Sequence, residues 1–207
     1  MNPFELFRDD GPVARACGAI LGPVVRLPAL AVLVIGMLPS IALLAIEGGG
    51  ASDGAAGAAI GWLVLAGGAS RGRPHTDRLR WAVPPLLRLA EYAAILWLGA
   101  LAGGAGPAAA FALLAAVAYH DYDLFYRPRF LGVPPPQWVG DVAGGWEGRL
   151  LAGWVLLVTG ALPAGFFAAA ALFGALFAGE SISGWTRARS GDPAGYVDDV
   201  GAEAGAE

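Results

Sequence analysis

Apolar segments of helical length recur along the chain and are separated by short polar connections. A helix needs about 20 residues to cross a hydrocarbon core about 30 Å thick, and fewer where neighbouring helices or local thinning help. The last apolar run, residues 150–179, is too long for one upright helix, and Gly160, Pro163 and Gly165 mark a turn inside it. The pattern therefore predicts an all-α polytopic membrane protein with six transmembrane helices. These spans lie near residues 27–46, 55–70, 81–102, 107–119, 146–162 and 164–185.

The arginines provide an independent test of this count. All 13 basic residues are Arg, and 12 of them fall in segments that six spans place on one side of the membrane. The positive-inside rule then puts both termini in the cytoplasm. Five spans would leave Arg187 and Arg189 on the other side. We therefore predict a multi-pass protein of the cytoplasmic membrane, with an N-terminal cytoplasmic or interfacial segment (1–26), a six-helix domain (27–186) and a mobile cytoplasmic tail (187–207).

Composition agrees with this class and excludes others. Apolar residues make up 57% of the 207 residues and charged residues 14%, against about 45–50% and about 25% in soluble domains. A net charge of −4 and the membrane setting exclude a nucleic-acid partner. The single Cys17 excludes an internal disulfide and a cysteine metal site. The acidic start, with Asp9 and Asp10, predicts no cleavable signal peptide.

The longest cytoplasmic connection, residues 119–149, holds most of the candidate chemistry. If the fourth span continues as a helix past Tyr119, then His120, Asp123 and Arg127 share one stripe, and Pro128 predicts that the helix ends near Arg127. Carboxylates are the ligands that Mg²⁺ or Mn²⁺ needs, and arginines are forked donors suited to phosphate. The candidate metal ligands are Asp121, Asp123, Asp141 and Glu147; the candidate phosphate-binding residues are Arg88, Arg127, Arg129 and Arg149; His120 is the candidate catalytic residue.

An alternative interpretation of the same connection is an interfacial belt. Tyrosines and Trp138 would then lie at headgroup depth, with acids and arginines paired in a solvated loop.

Two ionisable residues fall inside the third span. Arg88 and Glu91 are three residues apart, so they share a helix face and are expected to pair. Ionisable groups within a membrane indicate function, although a purely structural pair, or an Arg88 side chain reaching the interface, would also satisfy the pattern. Because the fourth span returns to the cytoplasmic side, we expect Arg88 to reach Asp121 or Asp123. Arg88 would then lie at the base of the candidate site in residues 119–149.

Several segments together resemble an actinobacterial integral-membrane domain of unknown function. The resemblance covers about residues 75 to 160, and the residues that carry it are Arg88-Leu89-Ala90-Glu91-Tyr92, Tyr119-His120-Asp121-Tyr122-Asp123, Pro134-Pro135-Pro136-Gln137-Trp138 and Gly145-Trp146-Glu147-Gly148-Arg149. Such domains are found with nucleotidyltransferase and CDP-alcohol phosphatidyltransferase modules. This implies a setting in phospholipid or polyol-phosphate synthesis, with either module as a partner. The catalytic signature of the CDP-alcohol enzymes is absent, so no catalytic residue is transferred from them.

The function expected from these features is binding of a phosphate-bearing lipid or headgroup precursor at a cytoplasmic-face polar site, as a divergent enzyme or an accessory to one. Membrane lipids are the expected partners, with a metal as candidate cofactor. The site residues should then meet in one cytoplasmic pocket. A non-catalytic scaffold or homodimerisation module for a partner enzyme is the alternative. A small transporter with Glu91 as its coupling acid ranks third, because the chain shows no inverted repeat.

Overall fold

A computed structural model describes residues 7–46, 50–71 and 79–190, and all regular secondary structure within these ranges is helical. The all-α prediction is thereby confirmed. The helices are α1 (Pro12–Leu21), α2 (Ala29–Ile46), α3 (Asp53–Arg71), a 3₁₀ turn (Arg80–Ala82), α4 (Val83–Ala102), α5 (Gly106–Leu131), α6 (Gln137–Val142), α7 (Gly145–Val158) and α8 (Leu162–Ser190). Helices α2, α3, α4, α5, α7 and α8 correspond to the six predicted apolar segments.

The core forms where α4 packs against α2, α5 and α7, and α5 packs along α8. Its largest fully buried side chains include Leu87 and Leu98 of α4, Trp146 of α7 and Phe166 of α8. Small residues allow the closest approaches. A Cβ atom added at Gly99 would lie 2.6 Å from Cβ of Ala110, so α4 and α5 pack backbone to backbone inside one chain.

Two of the described helices are long and apolar enough to cross a membrane, namely α4 over Val83–Ala102 and α8 over Leu162–Ala188. The apolar window of α8 is only 17% buried within the molecule. The helix α5 carries its charges in its second half, and α1 and the apolar part of α2 are shorter than a span. Association with a membrane thus rests on two helices, and the six-span arrangement stays a prediction.

Two helix boundaries differ from those expected. The helix α5 does not end near Arg127 but passes through Pro128 to Leu131. Its last turn is closed by Gly132, which has a φ of +71° and donates its N–H to the carbonyl of Pro128. Helix α8 also extends farther than expected, to Ser190, which lies beyond the expected domain boundary at 186. Residues 191–207 of the predicted mobile tail (187–207) lie outside the described residues, as does the arginine-containing segment 72–78.

Candidate functional site

A fully buried carboxylate, Glu91 of α4, lies at the centre of an ion network. It accepts hydrogen bonds from Arg88 Nη1 and from Arg149 Nε of α7, each at 2.7 Å. The pair with Arg88 follows from the spacing of three along one helix. The bond to Arg149 joins α4 to α7, and no local pattern indicates it. Glu91 therefore holds two guanidinium groups that are largely shielded from bulk water, since the side chains of Arg88 and Arg149 are 12% and 1% exposed.

The N-terminal segment 7–11 enters this network through Asp9. Its carboxylate accepts a hydrogen bond from Arg149 Nη2 at 2.9 Å and lies 3.9 Å from Arg88 Nη1 and 3.6 Å from His120 Nε2. Burial alone would raise the pKa of Asp9, but Arg149, the neighbouring His120 imidazole and Arg88 hold that pKa well below its usual range. The Asp9 backbone has a φ of +47°, which few residues other than glycine adopt.

The residues flanking Asp9 fix the segment to α3 and α7. Arg8 pairs with Asp10 at 2.7 Å and donates to Ser70 Oγ at 3.0 Å and to the carbonyl of Gly67 at 2.8 Å. The indole N–H of Trp146 donates to Asp10 at 2.9 Å. These bonds present the Asp9 carboxylate to the arginines.

Asp121 of α5 forms the outer edge of the network. Its Oδ1 lies 3.3 Å from Arg88 Nε, and its Oδ2 accepts the hydroxyl of Tyr92 at 2.6 Å. Burial raises the pKa of Asp121 more than the charge of Arg88 lowers it. The structure thus places Arg88 against Asp121 rather than Asp123. The preceding residue of α5 is His120, whose ring stacks on Phe177 of α8 with the ring centroids 4.1 Å apart.

Glu147 contacts the backbone of α1 through its carboxylate. Its carboxylate accepts the backbone N–H groups of Gly11 at 3.1 Å and Ala14 at 2.9 Å, at the start of α1. The first N–H groups of a helix have no partner within the helix, and a carboxylate there is also favoured by the helix dipole. Glu147 therefore caps α1 from another helix.

One turn beyond His120, a groove of about 370 Å³ opens between α5 and α8. Asp123 is buried at its floor, where its Oδ1 accepts Ser181 Oγ at 3.0 Å and Trp185 Nε1 at 3.4 Å. Arg127 contacts the other oxygen at 3.4 Å and pairs with Glu180 at 2.6 Å. The groove is lined by Tyr119, Tyr122, Asp123, Ser181, Ile182, Trp185 and Thr186.

The four candidate metal ligands do not share a centre. Asp121 faces Arg88, Asp123 faces Ser181 and Arg127, Glu147 caps α1, and Asp141 pairs with Arg15 at 2.7 Å near the surface. Within 7–46, 50–71 and 79–190, no three His, Cys, Asp or Glu side chains are placed to hold a metal ion. The Mg²⁺ or Mn²⁺ prediction therefore has no common ligand set in this part of the chain.

The candidate phosphate-binding arginines divide into three places. Arg88 and Arg149 share the buried network, Arg127 lies under the groove, and Arg129 is exposed, its guanidinium 3.8 Å above the Phe125 ring. Three charged participants of the buried network were not predicted as site residues, because their partners are far away in sequence: Arg8, Asp9 and Asp10. Their one local signal is three consecutive charges ahead of an apolar helix.

Comparison with known proteins identifies one sequence family. The match is to a family of unknown function (DUF5941) and covers residues 4–205. No curated protein and no solved structure matches the chain. Because the match spans nearly the whole sequence, the chain belongs to this family.

Proposed function

We propose that this member of the DUF5941 family is a multi-pass membrane protein that binds a phosphate-bearing lipid or headgroup precursor at its cytoplasmic face. It would act in phospholipid or polyol-phosphate synthesis, as a divergent enzyme or as an accessory to a nucleotidyltransferase or CDP-alcohol phosphatidyltransferase. The observation that carries the proposal is the polar groove between α5 and α8, because it opens beside α8, the less buried of the two described helices that are long and apolar enough to cross a membrane.

The membrane setting is supported by the outer surface of α8. Phe167, Leu172 and Ile182 are 45%, 69% and 62% exposed along it. Apolar surface of this extent in a folded protein marks a lipid or protein contact. Ile182 also lines the groove, so the apolar face of α8 leads directly to the groove mouth. Acyl chains lying along α8 would bring a headgroup to Trp185 and Asp123.

The groove is suited to a headgroup rather than to an apolar ligand. It combines aromatic rings with hydroxyl groups, and its buried carboxylate, Asp123, lies 3.4 Å from Arg127, which pairs more closely with Glu180. The exposed guanidinium of Arg129 lies about two helical turns beyond Tyr122 of the groove, on the same side of α5, and supplies the forked donor that phosphate prefers. We assign the headgroup phosphate to Arg129 and the remainder of the headgroup to the groove.

The test uses the purified, delipidated full chain in detergent. Short-chain phosphatidic acid should raise the unfolding temperature, since a ligand that binds only the folded state stabilises it. Short-chain diacylglycerol, which lacks the phosphate, should not. Arg129→Gln should weaken the phosphatidic acid effect. The matched control is Arg15→Gln, which removes an arginine paired with Asp141 on a different surface. Equal effects of the two lipids, or equal losses in both variants, would reject the proposal.

A second candidate function is a non-catalytic scaffold for a partner enzyme. It is favoured by the composition of the buried network, where Arg88 and Arg149 already have Glu91, Asp9 and Asp121 as counter-ions. Such a network needs no ligand for charge balance. Lipid extracts distinguish the two functions: Asp123→Asn in cells should change headgroup composition if the groove acts on lipid, and should leave it unchanged for a scaffold.

A further inference from the structure

The Asp9 carboxylate fills a space built by side chains of three helices. Arg88 comes from α4, His120 from α5 and Arg149 from α7, and their side chains are 12%, 4% and 1% exposed. The helix α4 packs directly against both α5 and α7. The three side chains are thus held together by the helix bundle, whereas Asp9 reaches them from a segment outside it.

Asp9 does not provide a hydrogen-bond partner for every polar atom that lines this space. Arg149 Nη1 and His120 Nε2 are buried without a hydrogen-bond partner in the described part of the chain. The distance from His120 Nε2 to Asp9 Oδ1, 3.6 Å, is too long for a hydrogen bond. A carboxylate has two oxygens in one plane, while a phosphate group offers oxygens in several directions to forked and single donors. Asp9 therefore leaves Arg149 Nη1 and His120 Nε2 over, whereas Arg88 Nη1 and Nε are already occupied by Glu91 and Asp121.

Asp9 is also held there at a cost to the backbone. Its φ of +47° is an uncommon conformation for a residue with a side chain, and such outliers persist where the surroundings impose them. The surroundings here are the bonds of Arg8 and Asp10 on either side. The segment is therefore anchored by its flanking residues, with Asp9 placed between two anchors and directed at the arginines.

We infer that Arg88, His120 and Arg149 form a binding site for a phosphate group, which Asp9 occupies as an internal competitor. Entry of the ligand requires the 7–11 segment to withdraw, so this segment limits access to the site. This site is distinct from the groove and from Arg129, so the inference adds a second phosphate position to the proposed function, on which it rests only for the ligand class, a phosphate-bearing headgroup precursor. The site itself can be tested with inorganic phosphate alone.

The experiment compares three full-length proteins in detergent by calorimetric titration with inorganic phosphate, against chloride at equal ionic strength. Asp9→Ala should bind phosphate at least about tenfold more tightly than the unmodified chain. The matched control is Asp10→Ala, which removes the neighbouring carboxylate and loosens the same segment but faces Arg8 and Trp146. Because this control loosens the segment but leaves the Asp9 carboxylate in place, it should gain less phosphate affinity than Asp9→Ala.

Each result of the titration either supports or overturns the phosphate site. Folded Asp9→Ala that binds phosphate no better than the unmodified chain or Asp10→Ala overturns it. If Asp9→Ala is recovered folded only when phosphate, and not chloride, is present during extraction, the site is supported; failure at every phosphate concentration overturns it. Phosphate binding by Asp9→Ala without any phosphatidic acid effect on the unmodified chain would retain this site and reject the lipid function. A phosphatidic acid effect on the unmodified chain, without phosphate binding by Asp9→Ala, would reject this site and retain the lipid function.

Discussion

Replacing Glu91 by Gln should be among the most destabilising single changes in the described chain. The substitution keeps the side-chain volume but removes the charge that Arg88 and Arg149 share. Glu91 is fully buried and Arg149 is 1% exposed, so water cannot replace the lost interaction. Removing one partner of a buried ion pair costs about 3–5 kcal/mol. Two hydrogen bonds to charged groups, at about 1.5–3 kcal/mol each, lead to a similar figure.

The assay is thermal unfolding of the purified chain in detergent. For a chain of this size, 1 kcal/mol corresponds to about 2–4 °C, so Glu91→Gln should lower the unfolding temperature by about 6–20 °C. Asp141→Asn is the matched control, because it breaks a pair with Arg15 whose side chains are 27% and 38% exposed. Such pairs contribute about 0–1 kcal/mol. A Glu91→Gln protein within 1 kcal/mol of the unmodified chain would refute the assignment of the network as a stabilising centre.

Three further outcomes are expected. Gly99→Ala should cost about 1–3 kcal/mol in unfolding measurements, because the new Cβ would lie 2.8 Å from the Gly106 carbonyl oxygen, whereas Gly61→Ala, with nothing within 4 Å, should be neutral or stabilising. The folded-state pKa of Asp9 lies below its ordinary value of 3.8, so its contribution is present above pH 3.8 and lost as the pH falls below it. The stability gap between the unmodified chain and Asp9→Asn should therefore narrow in acid, and a constant gap would contradict this. In an otherwise cysteine-free chain, Ala105→Cys and Gln137→Cys lie beyond opposite ends of α5; an impermeant maleimide should label only the first in intact cells, and labelling of both would contradict the topology.

The helices could be predicted from the sequence because their signals are local. Apolar runs of helical length, interrupted by Gly and Pro, place α2 and α4 within about two residues of their observed starts. The end of α5 could not be predicted in the same way. Pro128 indicates a helix end when only its neighbours are considered, but Arg127 is bonded to Glu180 on α8, and this tertiary contact accompanies a further turn of helix.

The candidate site was predictable only where partners lie on one helix. The spacing of Arg88 and Glu91 predicts their pair, and that pair is present. The hydrogen-bond partners of Glu147 and Asp9 lie 133 to 140 positions away in the sequence. A single sequence contains no periodicity that reports such contacts. For this reason the acids appeared as one group of metal ligands, whereas each has its own partner in the fold.

The separation between Asp9 and Arg149 also constrains the order in which the chain can assemble. Asp9 is synthesised 140 residues before Arg149, to which it is hydrogen-bonded. Until α7 has been synthesised, Glu91 has Arg88 as its only arginine and α1 lacks the cap supplied by Glu147. Contacts between such distant positions form late, because the intervening loop must close first. The N-terminal segment therefore completes the fold only after α7 is in place, and a chain interrupted before that helix would lack the Arg149 partner that Glu91 and Asp9 share.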